Sequence, residues 1–376
     1  MKYIEEFRAP DLAKNLATSI AAEVQPGREY RFMEFCGGHT HAIARYGVDD
    51  LLPDNIRMIH GPGCPVCVLP VARVDKAIAL AEQQDVILCT YADLMRVPGS
   101  RYDSLIKARS RGADIRMVYS VTDALTIAEE NPERQVVFFA IGFETTTPPT
   151  AVALKLAKAR GLKNFSAHCN HVLTPAAMRA ILGSPSSGAK IDGFVGPAHV
   201  SAVIGMRPYH EFTSDYGKPV VIAGFEPLDV MQAVLQLVRQ VNEGRSEVEN
   251  EYARAVTEEG NTKAIAIMDE VFELRDSFEW RGLGSVPDSA LKIRPEYAEF
   301  DAEKRFEVET PIPRENKACA CGDVLRGEKT PEQCKLYGDP CTPENPLGAC
   351  MVSSEGACAA QWTYGRFREQ NDEAVA

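Results

Sequence analysis

Over residues 31–225, short apolar or β-branched runs alternate with segments of helical period. The runs are Tyr30–Phe35, Ile56–His60, Val86–Thr90, Ile115–Tyr119, Val136–Ile141, Asn164–His168, Ile191–Val195 and Val220–Ala223. Their length and bounding polar loops predict strands. The clearest helices between them are Val71–Gln83, Asp123–Glu130, Pro149–Ala159 and Pro175–Leu182, with Thr174 and Pro175 supplying an N-cap and a first-turn proline. Alternation of this kind predicts parallel βαβ units. Eight strands divide into two sets of four, and the Asn131-Pro132-Glu133 break falls between them. The chain is therefore read as α/β, with parallel-sheet domains at 31–131 and 132–226.

After Glu226 the period becomes helical over Leu228–Val241, Val248–Val256 and Thr262–Val271. Beyond Trp280 the chain is rich in Pro and Gly, and from Cys319 onward it has little period of either kind. Such a segment cannot build its own apolar core, so a bound metal centre is the economical reason for its order. Residues 227–376 are expected to form a third domain, mostly helical and irregular.

Composition narrows the function classes. The 376 residues are 45% hydrophobic and 25% charged, enough to bury more than one core. A net charge of -12 without a Lys/Arg cluster argues against nucleic-acid and anionic-membrane surfaces. The start, Met1-Lys2-Tyr3-Ile4-Glu5-Glu6, does not read as a signal peptide, and no run reaches about 18 apolar residues. A cytoplasmic protein is expected, with proteins or small ligands as partners.

There are 11 cysteines, and six of them (Cys319, Cys321, Cys334, Cys341, Cys350 and Cys358) crowd the C-terminal end. In a reducing compartment that points to metal ligation or redox chemistry. Cys36, leaving the first strand ahead of Gly37-Gly38 and a helix start, is expected to be a low-pKa thiolate, as metal ligand or nucleophile. His39 and His41 lie two apart, so at most one is expected to face the same site. Cys64 and Cys67 form a lone CxxC with no matching second pair nearby, which favours a reversible dithiol over a zinc clip. Cys89 and Cys169 read as packing residues. Glu144, with Thr145–Thr147, follows the fifth strand; the Walker pattern with its lysine is absent, so nucleotide binding and ATP hydrolysis have no clear motif. In the tail, Cys319, Cys334, Cys341 and Cys358 give C-x14-C-x6-C-x16-C, with Cys321 or Cys350 able to substitute on spacing alone; an iron–sulfur cluster and an all-sulfur zinc site both remain open. The polar loops all follow strand carboxyl ends, where α/β sheets bind ligands.

The motifs CGGHTH, GPGCPVC, GFETT, the P-x-HVS element and the four-cysteine tail together resemble the HypD family, which matures NiFe-hydrogenases. The resemblance implies two α/β domains and a third, cluster-bearing iron–sulfur domain, with an N-terminal helical region, 1–30, packing against it. It also implies a scaffold for the Fe(CN)2CO unit, working with the small chaperone HypC and a cyanide donor, HypE. On that pattern Cys36 holds the transient iron with His39 nearby, and Cys64/Cys67 are the redox pair. Cys319, Cys334, Cys341 and Cys358 hold a 4Fe-4S cluster, and Glu144 with the threonine run shapes the cleft. The alternative is a general iron–sulfur thiol–disulfide reductase.

Overall fold

The computed structural model describes residues 5–183 and 190–365. All eight predicted runs are strands: β1 (Tyr30–Glu34), β2 (Ile56–His60), β3 (Val86–Thr90), β4 (Asp114–Met117), β5 (Gln135–Gly142), β6 (Phe165–His171), β7 (Gly193–Pro197) and β8 (Val220–Ala223). A ninth, β9 (Val248–Asn250), falls where a helix was expected. Gly244, in the left-handed region at φ 66°, ends the helix Pro227–Glu243, and the chain returns to the sheet edge with Val248 beside Val220.

Both main sheets are parallel throughout, and the fold class is α/β. Their orders are β2-β1-β7-β8-β9 and β4-β3-β5-β6. The sheets are thus not divided at Asn131. The chain leaves the first sheet after β2, builds the whole second sheet, then returns at β7. Hydrophobic period counts strands but carries no information on which strands pair. In each sheet the winding reverses at a switch point, between β1 and β7 in one and β3 and β5 in the other, so the loops leaving these strands open the crevices.

Side chains alternate across each strand. From β5, Val136, Phe138 and Ala140 enter the core outside the second sheet, while Val137, Phe139 and Ile141 enter the central core. Met33 and Phe35 join the central core from the first sheet, whereas Tyr30 and Phe32 face the helical layer outside it. That layer contains the helices Pro10–Glu23 and Pro227–Glu243, which pack on one another. The helix Thr262–Val271 packs on Thr147–Arg160 of the second sheet. The N-terminal helix thus packs on Pro227–Glu243, the first helix of region 227–376, and both cover the outer face of the first sheet. Between Phe272 and Ile293 the Pro- and Gly-rich stretch forms two short antiparallel pairs, Phe272–Leu274 with Leu291–Ile293 and Ser277–Trp280 with Gly284–Pro287. Among the described residues no helix is long and apolar enough to cross a membrane.

Candidate thiol-lined functional site

Cys36 ends the extended run of β1 and caps the helix Gly37–Tyr46, 8% exposed. Its support is Glu34, a fully buried carboxylate that accepts the Cys36 amide at 2.8 Å, the Thr40 hydroxyl and His60 Nδ1 at 3.0 Å. Glu34 and His60 are register partners at the ends of β1 and β2. Burial opposes charge on His60, but the Glu34 carboxylate outweighs it and His60 titrates above its ordinary value. The expected low-pKa thiolate at Cys36 is not found. Burial pushes the thiol well up and the Glu355 and Glu34 carboxylates add to this, while the Gly38 and His39 amides only oppose it. A helix N-terminus cannot hold a thiolate once the surroundings are this dry.

Cys64 and Cys67 are joined as a disulfide, 3% and 0% exposed, in and just before the short helix Pro65–Val68 after β2. Gly63 sets this loop against Cys36: a Cβ at Gly63 would run into the Cys36 backbone, and Gly63 O accepts from Gly37 N at 3.4 Å. Pro65 and Val66 also line a cleft of about 520 Å³ with Tyr91, Asp93, Ile141 and Thr146. The disulfide loop thus spans the switch-point loops of both sheets.

The other predicted residues fall around this centre in different ways. His39 is buried, with Nε2 3.0 Å from the carbonyls of both Ala223 and Gly224, and its Nδ1 has no partner. Burial holds it below the ordinary imidazole value. His41 turns away to the Tyr364 ring, 5.1 Å between centroids. Glu144 accepts from the Thr174 amide at 2.9 Å and its hydroxyl at 3.0 Å, tying the β5 loop to the helix after β6, and burial pushes its carboxyl up to about 7. Thr146 and Thr147 donate to the carbonyls of Ile141 and Phe143, bonding back to the end of β5 and its loop and not capping the helix amides. Cys89 and Cys169 are buried within strands, with thiols pushed up to about 12 and about 11 by burial.

The tail returns to the same place. Residues Ala349–Met351, carrying Cys350, pack on the disulfide helix, and Ala357–Ala360 packs on Gly37–Tyr46. Cys64, Cys67, Cys321, Cys341, Cys350 and Cys358 are all buried in the extended central core, with Cys319 packed against it. Backbone amides point at tail sulfurs: Ala320 N at Cys334 (3.4 Å), Leu347 N at Cys341 (3.4 Å) and Cys350 N at Cys321 (3.2 Å). The free Cys321 thiol is within hydrogen-bonding reach of the Cys319 and Cys350 thiols, and the Cys358 thiol, pushed up first by burial, also feels Cys321, Cys319, Cys341 and Cys334. Among the described residues no group of three or more His, Cys, Asp or Glu side chains is placed so that it could hold a metal ion as it stands. The donor set is nonetheless all sulfur, gathered, buried and faced by amide donors, which fits a soft metal cluster.

Residues 11–365 match the HypD family, the hydrogenase formation hypA family. The chain is 65% identical over 374 residues to the hydrogenase maturation factor HypD of Rhizobium leguminosarum bv. viciae, across 98% of this chain and 97% of the relative. It is 53% identical over 377 residues to that of Rhodobacter capsulatus (98% and 99%), and 46% over 379 residues to that of Escherichia coli (strain K12), across the whole of both chains. This chain belongs to the HypD family.

In this HypD-family chain several site residues escaped sequence reasoning. Glu34 and His60 left a faint signal, since each follows two apolar residues at the end of its strand. Glu355 lies over Gly37 from the tail, and the Phe225 ring meets those of His39 (5.0 Å) and His199 (4.0 Å) at tilted angles. Arg281 reaches the disulfide loop from more than 200 positions away. No local pattern marks contacts made at that separation.

Proposed function

We propose that this hydrogenase maturation factor is the scaffold on which the Fe(CN)2CO unit of NiFe-hydrogenases is assembled. The iron is its cargo, received and passed on together with a HypC-type small chaperone and a HypE-type cyanide donor. The observation that carries the reading is the position of the disulfide helix: its leading loop lies against Cys36, and its other side packs on the tail segment bearing Cys350.

Cys36 takes the part of iron ligand. A buried thiol held protonated is a poor free nucleophile, but a soft cation displaces its proton and supplies the missing counter-charge. Glu34 fixes the Cys36 backbone, and His39 presents an unpartnered ring nitrogen from the first turn of the same helix. Cys319, Cys334, Cys341 and Cys358 are assigned to a 4Fe-4S cluster, with Cys321 and Cys350 paired beside it. Such a cluster supplies electrons singly when bound. Opening the Cys64–Cys67 bond consumes two electrons and two protons and leaves two thiols; closing it releases both. Glu144 contributes by holding the β5 loop on the cleft wall.

A general disulfide reductase needs a bond that outside substrates reach, and burial of Cys64 and Cys67 weighs against that. Nine free cysteines go with a reducing, cytoplasmic setting. The test is anaerobic purification with the small chaperone followed by infrared spectroscopy. Nitrile- and carbonyl-stretch bands are expected, and a maturation-competent complex without them overturns the scaffold reading.

A further inference from the structure

Arg281 is a buried cation between the two sulfur elements, 7% exposed. Its backbone N donates to the Val68 carbonyl at 2.8 Å and its Nε to the Leu69 carbonyl at 2.9 Å, so it grips the end of the disulfide helix. The same side chain lines a cleft of about 240 Å³ together with Cys319, Cys321 and Gly348. Its Nη2 is shut off from solvent and has no partner. A small anion entering the cleft therefore does not reach that nitrogen. The carboxylate beside it is Glu315, whose Oε1 lies 3.6 Å from Nε and whose side chain is 56% exposed on the rim.

A guanidinium does not lose its proton in a protein, so this charge is permanent. Buried charge without a matched partner is costly, and neutral thiols offer no match. Thiolates do. We infer that Arg281 is the fixed counter-charge of the tail sulfur centre, held in place by the disulfide helix so that one residue positions both redox elements. The inference rests on reading the tail as an all-sulfur metal centre.

Reduction adds negative charge to the tail centre, and a fixed cation stabilises the added electron. Removing the cation lowers the reduction potential; removing an offsetting carboxylate raises it. Arg281 is thus a positioning residue whose signature is a potential and not a rate.

The experiment is a dye-mediated redox titration of the full chain, purified anaerobically and followed by its visible chromophore. Arg281→Gln is expected to move the midpoint to lower potential, Arg281→Lys to move it less, and Glu315→Gln to move it upward. Glu315 is exposed, so its variant remains informative if Arg281→Gln does not fold. Midpoints unchanged in Glu315→Gln and in whichever Arg281 variant folds overturn the inference while leaving the tail centre standing. A wild-type chain without iron, sulfide or chromophore overturns both.

Discussion

Glu34 accepts the backbone amide of Cys36 at 2.8 Å, placing a carboxylate directly behind the candidate iron ligand. Because Glu34 is fully buried and also holds Thr40 and His60, its removal strands three donors. Glu34→Ala is expected to cost about 3–5 kcal/mol, the range for breaking one side of a buried charged pair. Urea denaturation measures it, and a loss below about 1 kcal/mol contradicts the supporting role.

His171 should make the protein sensitive to acid. It is fully buried beside β5, 2.9 Å from the Thr150 hydroxyl, and burial lowers its pKa to about 4, with a weaker opposing contribution from Gly142. A folded pKa below the unfolded value of about 6.5 means that the unfolded chain binds the extra proton. The stability is complete above the unfolded value and drains away as pH falls toward the folded one. Between pH 7 and 5 the loss from this group is about 2 kcal/mol. In His171→Gln the difference in unfolding free energy between those pH values should shrink by that amount; an identical profile contradicts the assignment.

Gly348 leaves room for the tail thiols. Its φ of -135° suits any residue, so only space is at issue: a Cβ there would lie 2.5 Å from Cys319 Sγ and 3.2 Å from Cys321 Sγ. Gly348→Val is expected to lower bound iron and sulfide at least twofold while the α/β sheets persist by circular dichroism. Full metal content would place the centre elsewhere in the tail.

How far the sequence reveals this arrangement depends on the range of each contact. The eight strands are legible because each is a local run, and Cys36, Cys64 and Cys67 are legible because their loops follow strand ends. The sharing of strands between sheets is not, since β2 and β3 are consecutive yet lie in different sheets. The thiol state of Cys36 is likewise hidden: the helix N-terminus is visible in Gly37-Gly38, but it is outweighed by burial, to which the charge of Glu355, more than 300 positions away, adds. Val248–Asn250 reads as helical in the sequence because an edge strand of three residues has too little period to distinguish itself.

The central claim, that Cys36 holds iron while a separate tail centre stands beside it, is tested most directly by Cys36→Ala in cells lacking their own copy of this factor. Hydrogenase activity is measured alongside iron and sulfide in the purified variant. Lost activity with the tail's iron, sulfide and brown colour retained is the predicted result. Hydrogenase matured at the wild-type level, or a variant stripped of its chromophore, contradicts it.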